Sequence, residues 1–205
     1  VSGHLNKSNG AGYYWIWRKE VLYTKKLLKE KVIGRVLKYR ILLKHSEVFR
    51  PKRGWYFDKN LSGGGVLMNP GPHAFSIIEF LFGSAEIENA HLKHFYNKDI
   101  EDEAKIELFH PNKIKGLIEA SWSVPGYPNL TIQYEVLGTS GLIKFSNNRL
   151  VIKRLDKKPI ILPYYKIPHD FNVYNLNPKA SGDAYYLEDL NFIQSLTQKK
   201  KVINN

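Results

Sequence analysis

The feature that most limits what this chain can fold into is a succession of short strand-like segments in its middle, each closed by a turn signal. Alternation of apolar and polar residues places strands near 86–97, 103–110, 115–124, 130–137, 141–145 and 150–155. Between several of them stand His-Pro-Asn-Lys (110–113), Thr-Ser-Gly (139–141) and Asn-Asn (147–148), which supply a fixed φ or tolerate a positive one. Consecutive hairpins of this kind form an antiparallel meander. Helices cover one of its faces, and the other is left to solvent or a partner.

Helical spacing appears on both sides of that run. Ile16, Val21, Leu22, Leu27 and Leu28 predict a helix over 13–32 with Gly34 as its stop, followed by a strand over 36–44. A last amphipathic helix is predicted over 183–197, after a Pro- and Tyr-rich stretch, 160–177, that reads as irregular. The class is therefore α+β: an open-faced, mainly antiparallel sheet with helices on one face.

Candidate chemistry concentrates in 61–83, LSGGGVLMNPGPHAFSIIEFLFG. Gly63, Gly64 and Gly65 strip a turn of side chains, so its amides can approach a ligand or another segment. An apolar helix follows, ending at Gly83. Asn69 and His73 are four residues apart, which in a continuous helix puts them on one face. Pro70 and Pro72 argue instead for a helix that starts near Pro72, with Asn69 in a cap or lead-in turn. Polar groups on a greasy helix are costly unless paired, so His73 is either a satisfied structural residue or part of a site.

Composition removes several classes. The 205 residues contain no cysteine, which rules out disulfides, thiolate catalysis and cysteine metal sites. No apolar run is long enough for a membrane span, and no secretory pattern opens the chain, so a cytoplasmic protein without membrane partners is expected. The net charge of +12 lies mostly in the first 60 residues, where 15 Lys or Arg stand against 4 acids. No zinc-finger, RNP or Gly-x-x-Gly signature accompanies that excess, so nucleic acid is not the expected partner. No Gly-x-Gly-x-x-Gly helix entry, Gly-x-Ser-x-Gly elbow or His-Glu-x-x-His is present either. The acidic run Glu101, Asp102, Glu103 reads as a solvated strand start, not a metal site.

Taken together, IGRVLKYRILLKH, RGWYFDKNLSGGGVLMNPGPHAFSIIEFLFG, IEDEAKIELF and KGLIEASW resemble the C-terminal domain of the glucose-fructose oxidoreductase and inositol dehydrogenase (Gfo/Idh/MocA) family. The most specific part is Gly63, Gly64, Gly65, Leu67, Asn69, Gly71 and His73, with Trp55 before it and Trp122 in a later strand. The resemblance implies a domain over 13–205 for substrate binding and oligomerisation. Residues 1–12 would be a remnant of a preceding Rossmann domain, which this chain lacks. It further implies NAD or NADP as cofactor, bound mainly by that absent domain, with no cofactor-binding residue here. A sugar or polyol would be oxidised at a secondary alcohol, and the sheet face would form a homo-oligomer.

His73 matches the family's active-site His, and its ordinary pKa of about 6.5 suits proton transfer. Asn69 stands where the family usually has Asp; it can orient a hydroxyl or His73 but cannot take a proton. Arg53, Trp55 and His45 are the expected substrate contacts, Arg53 through a bidentate grip on an anionic group. Trp55 and Trp122 would serve equally as core, and His45 as an ordinary strand-end residue. The fragment alone should be inactive, and the alternative function is a non-catalytic oligomerisation or partner-binding module.

Overall fold

The computed structural model describes residues 12–50, 54–168 and 184–198. Its strands are β1 (Val36–Lys44), β2 (Glu86–Lys93), β3 (Glu103–Phe109), β4 (Lys115–Ser121), β5 (Thr131–Gly138), β6 (Gly141–Ser146), β7 (Arg149–Arg154) and β8 (Lys157–Pro163). They form one sheet in the order β2-β3-β4-β1-β5-β6-β7-β8. The helices are a 3-10 turn at Tyr14–Trp17, α1 (Lys19–Lys29), the short α2 (Lys59–Ser62), α3 (Gly71–Phe82) and α4 (Ala184–Gln198).

Alternation decides which face of the sheet is buried. Tyr39, Ile41 and Leu43 of β1, Ile106 and Leu108 of β3, Ile118 and Ala120 of β4, and Ile132, Tyr134 and Val136 of β5 all turn inward. They share one core with Val21, Leu22 and Leu27 of α1 and Ala74, Ile77, Ile78 and Leu81 of α3. Each fully buried Ile or Leu contributes about 1.5–3 kcal/mol, so this face carries the stability. The opposite face bears the pairs Arg40–Glu119, Lys105–Glu107 and Lys144–Glu135. Such exposed pairs are worth about 0–1 kcal/mol each and do not compete with the core.

The hairpin turns fall where the sequence puts them. Asn147 and Asn148 both have positive φ, 49° and 55°, as a type I′ turn between β6 and β7 demands. The meander itself needs correction. β1 inserts between β4 and β5, parallel to the first and antiparallel to the second. Turn signals specify only neighbours in sequence; here the connection 122–130 passes over the end of β1, with Val124 N–H donating to His45 O and Ser46 N–H to Tyr127 O.

Two boundaries also differ. β8 occupies the start of the stretch read as irregular; it is an edge strand, and Pro159 sits where the β7–β8 register shifts, a place where a missing N–H costs nothing. The rest of that stretch from residue 169 lies outside the described residues. The helix read over 13–32 is divided at Arg18, which is extended (φ −68°, ψ 138°) and whose carbonyl accepts the N–H of Val21 and Leu22 at the start of α1. Among the described residues, no helix is long and apolar enough to cross a membrane.

Candidate functional site

The glycine turn is built to receive Glu101. Gly63 ends α2 in the left-handed region, φ +76°. A Cβ on Gly65 would lie 2.0 Å from the Glu101 carbonyl oxygen, a distance no side chain tolerates. Gly65 N–H and Leu67 N–H donate to the two oxygens of the Glu101 carboxylate at 2.9 and 3.0 Å, and Val66 N–H donates to Glu101 O at 2.9 Å. The bare backbone thus approaches another segment. The acidic run is consequently not solvated: Glu101 and Asp102 are buried. Asp102 accepts the N–H of Phe95 and Tyr96 at 2.6 and 2.7 Å and Trp122 Nε1–H at 3.2 Å, which makes Trp122 a core residue.

This anchored turn leads into α3. Gly71 N–H donates to Val66 O at 3.0 Å, one residue further back than in an α-helix, so α3 begins at Gly71 after Pro70. Asn69 therefore lies in the lead-in turn, exposed, while His73 stands in the first turn of α3, half-buried. Among the described residues, no hydrogen bond joins the two side chains.

The surroundings of His73 are aromatic. Tyr13 and Tyr14 present their edges to its ring at centroid distances of 6.2 and 5.8 Å, and Trp15 lies at 6.3 Å. Trp15 is held from behind by the Arg18 guanidinium, 4.5 Å from the ring, and Arg18 in turn pairs with the buried Glu20. Tyr14 also stacks on Tyr185 of α4 at 4.2 Å. Burial lowers the His73 pKa from its ordinary value, so the neutral ring dominates at pH 7. Its Nδ1 is buried and has no hydrogen-bond partner among the described residues. Burial and the neighbouring Tyr185 push the Tyr14 phenol up to about 12, which keeps it protonated and able to donate.

His45 and Trp55 belong to a second cluster, at the end of β1. Glu47 is buried and gathers His45 Nδ1 at 3.2 Å, Arg50 Nε at 3.1 Å and the Tyr56 hydroxyl. Burial lowers the His45 pKa, although Glu47 opposes that shift. Trp55 is 62% exposed and meets the edge of Tyr56 at 5.8 Å. Arg53 lies outside the described residues. A groove of about 470 Å³ on the open sheet face, lined by Leu42, Lys44, Lys93, Lys105 and Glu119 among others, does not include His73.

Chemically, His73 offers a neutral imidazole with a free ring nitrogen, and the tyrosines offer donors and flat apolar surface. Sequence reasoning missed Tyr13, Tyr14 and Trp15, whose only local signal was three consecutive aromatics ahead of a helix. It also missed Glu47 and Glu101, whose roles depend on partners 9 and 34 to 36 residues away.

Comparison with known proteins follows the same lines. A family model described as the GFO/IDH/MocA C-terminal domain matches residues 21–144. The levoglucosan dehydrogenase of Pseudarthrobacter phenanthrenivorans is 26% identical over 155 residues, which cover 63% of this chain and 40% of that protein. A solved levoglucosan dehydrogenase in complex with NADH and levoglucosan superposes with a TM-score of 0.74 at 21% identity, over 92% of this chain and 56% of that one. An NAD binding oxidoreductase from Klebsiella pneumoniae gives 0.78 at 19% identity, over 95% and 58%. At these identities the structures show a shared fold, and the chain spans about half the length of the relatives it matches.

Proposed function

The chain belongs to the GFO/IDH/MocA family as its C-terminal domain, and from that membership we propose that it is the substrate-binding and catalytic half of an NAD(P)-dependent oxidoreductase. Its substrate is a secondary alcohol of a sugar, polyol or sugar derivative. Support comes from relatives named as dehydrogenases and solved with NADH or NAD+. The observation that carries the reading is the neutral, half-buried imidazole of His73 set among aromatic rings.

The described residues contain no Gly-x-Gly-x-x-Gly helix entry, so the dinucleotide is held mainly by another domain. When bound, the nicotinamide supplies the hydride acceptor. This chain supplies the proton acceptor and the walls. The substrate hydroxyl points at the half-buried imidazole of His73, which takes its proton as the carbinol becomes a carbonyl. Tyr13, Tyr14 and Trp15 hold the ring edge-on and exclude water from one side, which keeps it neutral between turnovers. Asn69, in the turn before α3, orients a hydroxyl by hydrogen bonding. Arg53, Trp55 and His45 are taken as further substrate contacts.

The test uses the full natural polypeptide, screened with sugars, inositols and nucleotide sugars against NAD and NADP. His73→Ala is expected to lower kcat about 10²- to 10⁴-fold with a smaller change in KM. Unchanged turnover would remove His73 from the mechanism. The 205 residues alone are expected neither to bind a dinucleotide tightly nor to reduce it, and calorimetric titration reads this directly.

A second reading, a non-catalytic oligomerisation or partner-binding module, draws on Asn69, which cannot act as a base where the family usually has Asp. Absence of turnover across the panel together with a stable homo-oligomer through the open sheet face would favour it.

A further inference from the structure

We infer that α4 contributes a specificity-determining residue to this site: Glu188, whose Oε1 accepts a hydrogen bond from a second hydroxyl of the substrate whose reacting hydroxyl lies at His73. The inference rests on the functional reading above and names what that site selects, a neutral polyhydroxylated ring in preference to a sugar acid or phosphate.

Glu188 is fastened to the segment that walls His73. Its carboxylate accepts the backbone N–H of Tyr13, and its Oε2 lies 3.6 Å from where a Cβ on Gly12 would stand. Two residues further on, Tyr14 is stacked on Tyr185, from the same helix as Glu188, and turns its edge to His73. The C-terminal helix and the His73 ring thus meet across three consecutive residues, Tyr13 to Trp15.

Among the described residues, three buried polar atoms carried by residues at that meeting point have no hydrogen-bond partner: Glu188 Oε1, His73 Nδ1 and Trp15 Nε1. One is an acceptor, one a donor, and the third either, according to its tautomer. An unsatisfied buried polar atom is costly, and such atoms are few in native proteins, so three around one short segment mark a place where a ligand completes the bonding. A polyol matches the set because every hydroxyl both donates and accepts. The exposed aromatic surface of Tyr185 beside Tyr14 gives its apolar ring face something flat to lie on. A carboxylate or phosphate at the same point would face the Glu188 charge. Burial raises the Glu188 pKa, in keeping with a carboxylate that lacks a donor for one of its oxygens.

The experiment compares kcat/KM for the best neutral substrate of the full natural polypeptide with kcat/KM for its single-deoxy analogues that retain the reacting carbinol. In the wild type one analogue is expected to lose about tenfold or more, the worth of a hydrogen bond to a charged group. In Glu188→Ala that analogue and the parent should differ by less than about twofold, since the partner is gone. Glu188→Gln keeps an acceptor oxygen and should retain part of the discrimination; it serves alone if the alanine variant does not fold. An equal loss for parent and every analogue in Glu188→Ala would mean that Glu188 only braces Tyr13, and would overturn the inference while leaving the functional reading intact. Wild-type protein that turns over no sugar or polyol would overturn the functional reading, and this inference with it.

Discussion

Gly65→Ala is the sharpest probe of how the site is built. The added methyl would stand 2.0 Å from Glu101 O, 2.8 Å from Glu101 N and 2.9 Å from Glu101 C, all backbone atoms that cannot rotate away. Relief requires the turn and the Glu101 strand lead to separate, at an overpacking cost of about 1–3 kcal/mol. Separation also stretches the bonds from Gly65 N–H and Leu67 N–H to the Glu101 carboxylate, each worth about 1.5–3 kcal/mol. Because the methyl need not break both, a total of about 3–5 kcal/mol is reasonable. At about 2–4 °C per kcal/mol for a chain of this size, the thermal midpoint should fall by about 6–20 °C. Gly83→Ala is the control: φ there is +85° but nothing lies within 4 Å of the new methyl, so only backbone strain of about 1–3 kcal/mol applies. Thermal unfolding of both variants, followed by circular dichroism, decides the matter. A Gly65→Ala loss no larger than that of Gly83→Ala would show that the close approach to Glu101 relaxes at little cost and that the turn does not require a residue without a side chain.

Other outcomes follow from the same structure. The His73 pKa is lowered, so its neutral, proton-accepting form persists above that value; kcat/KM should fall as pH drops through a midpoint below about 6.5, and a midpoint above about 7 would exclude His73 as the base. His110 is buried against Tyr39, whose hydroxyl lies 2.9 Å from its Nε2, and burial lowers its pKa. The unfolded chain then binds more protons below about 6.5, so stability is complete above that pH and declines as pH falls; a His110→Gln variant should show a flatter dependence of the thermal midpoint between about pH 7 and pH 5. A Cβ on Gly116 would meet the Tyr39 ring at 2.2–2.8 Å, and that ring is clamped by a parallel stack on Phe82 at 4.3 Å. Gly116→Ala should cost about 1–3 kcal/mol by denaturant titration, and much less when Tyr39 is already Val.

The candidate site divides by the range of the forces that make it. His73, the glycines and the helix behind them were readable because an apolar period, a stop glycine and prolines act within a few residues of one another. The partners of those elements were not. Glu101 and Asp102 look like any hydrophilic run, and only three backbone donors for Asp102 and two for Glu101, delivered by other loops, make their burial affordable.

By itself the amino-acid order determined seven of the eight described strands, their alternation, the Asn147-Asn148 turn and the approximate position of α3, since each depends on steric and solvation preferences expressed locally. Tertiary structure alone decided that β1 enters between β4 and β5, that Tyr13, Tyr14 and Trp15 gather around His73, and that Glu188 of α4 fastens Tyr13. Those arrangements come from residues far apart in the chain competing to bury the same apolar face and satisfy the same polar atoms, a competition that becomes defined only when the whole core closes.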